Sequence, residues 1–194
     1  MIITFEGIDQ SGKETQSRLL TKRLKDMGYS VSHLYFPDYE TTIGKELRAF
    51  LDGKAELSPV VRQLLYAANR YEKADVIEKL LSENDFLIID RYIPSGIAYG
   101  AVNGVEAGWT RAMEGKLPQP DVVILLDITS EVSRKRKSDE HRDVYERSYE
   151  FLDRVRATYL QLAKDYGWIV TDASKTINEV HKDVWDKFSA CLKK

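Results

Sequence analysis

Gly7 and Gly12 enclose four residues and Lys13 follows directly, with an apolar run before them and a long amphipathic pattern after them. The Gly-x-x-x-x-Gly-Lys spacing is that of a phosphate-binding loop, which works only between a buried strand and the N-terminus of a helix. Inward-turned backbone N–H groups, the positive end of the helix and the Lys13 ammonium together make an anion cradle. A tight glycine turn has the same spacing, but it does not need this strand and helix around it. The expected phosphate-binding residues are therefore Gly7, Ile8, Asp9, Gln10, Ser11, Gly12, Lys13, Glu14 and Thr15. One position departs from the pattern. A hydroxyl residue that holds magnesium should follow the lysine, and the chain has Glu14 there, with Thr15 next. Magnesium takes oxygen ligands, so Glu14 can bind it directly or through water. Approach of Thr15, outward rotation of Glu14 or loss of the metal chemistry are the alternatives.

Residues 2–5, 31–35, 86–89 and 122–126 read as buried parallel strands, and 168–170 as a weaker fifth. Helical patterns fill the intervals. The first covers 13–27 and ends at Gly28, and the second covers 43–51. Ser58-Pro59 opens a third that the periodicity carries to 82, and others cover 94–101 and 108–113. Thr129 or Ser130 caps a helix entering the charged stretch 134–143, a long helix spans 145–166, and Thr176-x-x-Glu179 opens the last as a capping box. This alternation predicts an α/β fold: a five-stranded parallel sheet between two helical layers, with ligands at the carboxyl ends of the strands.

A chain of 194 residues suits one domain, so 1–194 is expected to be a single unit. A net charge of −2 gives no support to nucleic-acid binding. No apolar run approaches the roughly 18 residues of a membrane span, and the N-terminus lacks a basic flank, which together predict a cytoplasmic protein without a membrane partner. Cys191 is the only cysteine, so an internal disulfide is impossible and a structural role is expected.

The strand ends carry distinctive residues: Phe36-Pro37-Asp38 after the second, Asp90-Arg91-Tyr92 after the third, and Arg134-Lys135-Arg136-Lys137 with Arg142 beyond the fourth. With Phe5-Glu6-Gly7-Ile8-Asp9, Ala68-Asn69-Arg70, Ser95-Gly96, Pro118-Gln119-Pro120-Asp121 and Asp172-Ala173-Ser174, they span nearly the whole chain. In this order the set resembles the thymidylate kinases, a family of P-loop nucleoside monophosphate kinases. The resemblance implies a P-loop three-layer sandwich with a lid at about 134–143. It also implies transfer of the γ-phosphoryl group of ATP to dTMP in dTTP biosynthesis, with Mg2+, on a homodimer.

Carried over by position, the resemblance makes Lys13, Arg91, Arg142 and Asp9 catalytic. Asp9 is expected to hold the sugar 3′-hydroxyl of dTMP, Tyr66 to stack on thymine, Arg70 to bond the base and Tyr99 to line the sugar. Phe36 and Asn69 join this acceptor set. Without the resemblance, Tyr66 and Arg70 would read as a core aromatic and an ion-pairing surface arginine. Arg91 is expected to bridge donor and acceptor phosphates. Asp90 would orient magnesium-bound water, and with Glu14 it forms the candidate metal set. Gln10 stands where some members place a loop arginine, so the cation is expected from the lid, from Arg142 first and Arg136 or Lys137 next. Tyr39 replaces an arginine that many members use to grip the dTMP phosphate, leaving that task to Arg91 or Lys45. Glu14 and Tyr39 keep open a catalytically impaired nucleotide-binding protein, and a kinase for another nucleotide or nucleoside is a further alternative.

Overall fold

A computed structural model describes residues 1–136, 143–146 and 148–192. Its strands are β1 (Ile2–Glu6), β2 (Val31–Tyr35), β3 (Phe86–Asp90), β4 (Val122–Asp127) and β5 (Ile169–Asp172). They form one parallel sheet in the order β2-β3-β1-β4-β5. β1 is central and buried along its whole length, as its unbroken apolar run requires. The helices are α1 (Lys13–Asp26), α2 (Thr42–Leu51), α3 (Pro59–Tyr71), α4 (Ala74–Glu83), α5 (Ile93–Val102), α6 (Ala107–Met113), α7 (Ser130–Arg136), α8 (Tyr149–Tyr166) and α9 (Ile177–Leu192). α1 packs against α9 and α5 against α8, which covers the sheet with two helix groups. Leu20 and Leu24 of α1 are fully buried against this core, where truncation to alanine costs about 2–5 kcal/mol each. Among the described residues no helix is long and apolar enough to cross a membrane.

The α/β fold and the five strands are those expected, with β4 and β5 reaching to Asp127 and Asp172. Two helices differ. The pattern from 59 to 82 is broken at Glu72 and Lys73 into α3 and α4. Lys73 leaves helical geometry and its ammonium pairs with Asp38 at 2.8 Å, so a contact distant in sequence interrupts a local periodicity. The helix expected from 145 begins at Tyr149, because the Asp143 carboxylate takes the N–H groups of Tyr145 and Glu146 at 2.8 and 2.9 Å in a turn. Ser148 then caps the helix through Phe151 N–H at 3.2 Å.

The register fixes the centre. Phe5 of β1 lies beside Asp90 of β3, and Glu6 beside Leu125 of β4. The loops after β1 and β3 therefore emerge together at the carboxyl edge, which brings Arg91 to the phosphate loop.

Candidate active site

The loop between β1 and α1 turns through Gly7 at φ 141° and Gly12 at φ 90°. A Cβ on Gly7 would stand 2.5 Å from the Leu126 carbonyl, so only hydrogen fits beside β4. Lys13 folds back over the loop, and its buried Nζ donates to the Ile8 carbonyl at 2.9 Å and to Ser11 Oγ at 3.4 Å. Burial and the Arg91 charge pull its pKa down to about 8, against the opposing carboxylates of Asp9, Asp90 and Glu6. An arriving phosphate would stabilise the ammonium form and raise this value.

Asp9 joins the loop to the neighbouring cavity. Its Oδ1 accepts from Arg91 Nη2 at 2.5 Å and its Oδ2 from the Tyr99 hydroxyl at 3.1 Å. Burial opposes ionisation of Asp9, but the Arg91 and Lys13 charges win and hold its pKa below the ordinary value. Beside this pair opens a cavity lined by Phe36, Tyr39, Tyr66, Arg70 and Tyr145 among others. Arg70 is buried with Glu114, to which it donates through Nε at 2.9 Å and through Nη2. The structure thus brings Lys13, Asp9, Arg91, Phe36, Tyr66, Arg70 and Tyr99 around one phosphate loop and one cavity.

Several site-forming residues carry no sequence signal of their own. Glu6 is fully buried at the end of an otherwise apolar strand. Its carboxylate accepts from Tyr92 N–H at 2.9 Å, Ser95 Oγ at 2.6 Å and the Tyr159 hydroxyl at 3.1 Å. Burial raises its pKa, with these hydrogen bonds and Arg91 opposing the shift. Arg91 sits at φ 61°, an uncommon geometry for a side-chain-bearing residue. It is held there from both sides, by its own N–H to the Phe5 carbonyl at 3.0 Å and by the following N–H to Glu6. Asp143 and Tyr145 line the same cavity. The Tyr145 ring stacks on Phe151 with centroids 4.9 Å apart, and Arg62 donates to its hydroxyl at 3.2 Å. Burial, then repulsion from Asp9, raises the Asp143 pKa to about 6.

Other expected residues sit apart from the cavity. Asn69 is buried with its amide engaged: Oδ1 accepts from Asp38 N–H at 2.9 Å, and Nδ2 lies 3.1 Å from the Asp38 carbonyl and 2.9 Å from Thr41 Oγ1. It positions the Phe36–Tyr39 segment and does not line the cavity. Glu14 is 71% exposed and pairs with Arg18 at 2.9 Å along α1. Asp90 is raised in pKa by burial, with Lys13 and Arg91 opposing, and among the described residues nothing donates a hydrogen bond to its side chain. As a hard oxygen donor beside the phosphate loop it suits a magnesium ion or its water shell, whereas Glu14 in this orientation faces Arg18. Arg136 ties the loop to the far strand, donating to the Gln10 carbonyl at 3.1 Å and the Ala173 carbonyl at 2.6 Å. Arg142 and Lys137 lie outside the described residues.

Comparison with known proteins agrees with this geometry. The family model for thymidylate kinase matches residues 5–184. Thymidylate kinase of Plasmodium falciparum is 38% identical over 184 residues, covering 94% of this chain and 86% of that one. The human thymidylate kinase is 37% identical over 186 residues, covering 94% and 87%, and a probable thymidylate kinase of Methanocaldococcus jannaschii is 37% identical over 185, covering 95% and 93%. A solved thymidylate kinase from Candida albicans superposes with a TM-score of 0.86 at 30% identity, over 98% of this chain and 92% of that one. With the phosphate loop, the Asp9–Arg91 pair and the adjoining cavity in place, the chain belongs to the thymidylate kinase family of P-loop kinases.

Proposed function

We propose that the chain transfers the γ-phosphoryl group of ATP to dTMP, giving dTDP and ADP, by direct attack of the acceptor phosphate. The observation that carries this reading is the Asp9–Arg91 contact, which joins the phosphate loop to the cavity lined by Phe36, Tyr66 and Arg70. Lys13 and the loop N–H groups hold the donor phosphates. Arg91 neutralises charge between donor and acceptor as the phosphoryl group moves. Asp9 accepts from the 3′-hydroxyl of the sugar, Tyr66 stacks on thymine and Arg70 donates to a base carbonyl. Tyr39 lines the cavity where many members have arginine, so the grip on the acceptor phosphate falls to Arg91. The acceptor phosphate is already anionic and needs no general base.

Magnesium, when bound, would neutralise phosphate charge; Asp90 is the residue best suited to its shell, with Glu14 able to join only by leaving Arg18. Residues 134–143 act as the lid that excludes water, with Arg142 as its transition-state cation. Arg136 is already engaged with Gln10 and Ala173, which favours Arg142 for that task. The exposed apolar residues of α3, Val60, Val61 and Leu64, support a homodimer formed through this helix. A cytoplasmic location accords with ATP as donor.

Glu14 specifically favours a second reading, a nucleotide-binding protein without turnover. A coupled assay of ADP formation with dTMP, dUMP, dGMP and thymidine, at varied magnesium, separates the two. Magnesium-dependent turnover with dTMP foremost is expected. Binding of ATP with no turnover on any acceptor would establish the second reading.

A further inference from the structure

We propose that Glu6 is a positioning residue for phosphoryl transfer: its buried carboxylate, acting through Tyr92 N–H and the Ser95 hydroxyl, fixes where the Arg91 guanidinium stands. The inference rests on the reading of Arg91 as the cation between donor and acceptor phosphates, and it reaches one residue behind that arginine.

β1 runs through Ile2, Ile3, Thr4 and Phe5 and then ends in Glu6, which is fully buried where the strand becomes the phosphate loop. A carboxylate is expensive to bury unless donors surround it. Here three do, and two of them belong to the segment that carries Arg91. Oε1 accepts from Tyr92 N–H at 2.9 Å, and Oε2 accepts from Ser95 Oγ at 2.6 Å and from the Tyr159 hydroxyl at 3.1 Å. Glu6 does not line the cavity, so it cannot reach a ligand there. Its effect on the chemistry has to pass through the residues it holds.

Two of those holds converge on Arg91. The first is on the backbone. At φ 61° Arg91 occupies a region that side-chain-bearing residues avoid, and such a conformation persists only where its surroundings over-determine it. The Phe5 carbonyl takes the N–H before its Cα at 3.0 Å, and Glu6 takes the N–H after it, so successive residues of β1 pin both flanking peptides. The second hold is on the side chain. Ser95 has one hydroxyl hydrogen, and giving it to Glu6 leaves the oxygen's lone pairs for Arg91 Nη1, which lies 3.3 Å away. Nη2 is taken by Asp9 at 2.5 Å, and the guanidinium carbon stands 5.4 Å from the centre of the Tyr99 ring. Gripped at two different nitrogens, the guanidinium plane has one orientation. Phosphoryl transfer depends on such alignment, and a displacement of about 1 Å is enough to lower a rate by about 10²-fold.

Glu6→Gln keeps the shape of the side chain and replaces one accepting oxygen with an N–H donor; Ser95→Ala removes the link to the guanidinium. The measurements are kcat at saturation and Kd for dTMP, for thymidine, which lacks the phosphate, and for a non-hydrolysable ATP analogue. In Glu6→Gln, kcat should fall by about 10- to 100-fold and Kd for dTMP should rise several-fold, while Kd for thymidine and for the ATP analogue stays within about twofold. Ser95→Ala should show the same pattern, and it stands alone if Glu6→Gln does not fold. Equal weakening of thymidine and dTMP overturns the inference, because a loosened cavity does not distinguish them. An unchanged kcat in Glu6→Gln, or in Ser95→Ala where that variant stands alone, overturns it as well. In an Arg91→Ala background either substitution should lower kcat by less than about threefold more. The full factor there would show that Glu6 acts elsewhere, as through its charge on Lys13, and would also overturn the inference. Arg91→Ala by itself separates this failure from that of the underlying reading. If it leaves dTMP affinity and kcat at wild-type values, the reading of Arg91 falls and the inference with it. If it lowers both while the Glu6 and Ser95 variants behave as wild type, only the Glu6 inference fails.

Discussion

Lys13 carries the sharpest consequence at the scale of single residues. Its pKa of about 8 reflects burial and the neighbouring Arg91 charge, so the free site holds the ammonium less firmly than water does. A bound phosphate raises that pKa, and binding therefore takes up a proton once the pH exceeds about 8. Affinity for a non-hydrolysable ATP analogue should fall on the order of tenfold between about pH 7.5 and 9.5, and Lys13→Met should abolish most of this slope. A calorimetric titration across that range checks it; a flat profile in the unaltered chain would remove Lys13 as the titrating group. Lys13 was legible from the loop spacing and Arg91 from its place at a strand end, whereas Asp9 was assigned through the family resemblance. Glu6 and Glu114 were not. Their partners lie 89 and 44 residues away at Ser95 and Arg70, and local spacing does not distinguish them from solvated carboxylates.

Elements were read well where periodicity alone decides and poorly where distant contacts do. The strands and α1 follow directly from apolar runs and the loop spacing. The break between α3 and α4 depends on Lys73 reaching Asp38, and the late start of α8 on the Asp143 turn, both set by tertiary structure. The segment after β2 depends on close approach as well. A Cβ on Gly44 of α2 would stand 1.8 Å from the Asp38 carbonyl, a backbone atom that cannot rotate away. Gly44→Ala should therefore displace residues 36–39, lowering stability by about 2 kcal/mol and Tm by about 4–8 °C. It should raise KM for dTMP several-fold and leave KM for ATP unchanged, as melting curves and steady-state kinetics will measure. Asn69 holds the same segment from α3, so any effect of its substitution on dTMP binding is expected to act through the position of residues 36–39.

For the molecule as a whole, the strand order places the phosphate loop and the cavity at one edge of the sheet, bridged by Asp9 and Arg91. The exposed apolar face of α3 lies on the helix that also supplies Tyr66 and Arg70, so an interface there would brace the acceptor wall. Leu64 is 45% exposed, and Leu64→Lys should convert a dimer into monomers at micromolar concentration while preserving the fold, as light scattering and circular dichroism will test. Full retention of a dimer would place the interface elsewhere. The central claim is that one cavity takes dTMP with its sugar on Asp9 and its phosphate on Arg91. An experimental structure with dTMP and a non-hydrolysable ATP analogue tests it most directly. Thymine against Tyr66, the 3′-hydroxyl on Asp9 and the acceptor phosphate on Arg91 is the expected result; dTMP bound outside this cavity, or reversed with its base at Arg91, would contradict it.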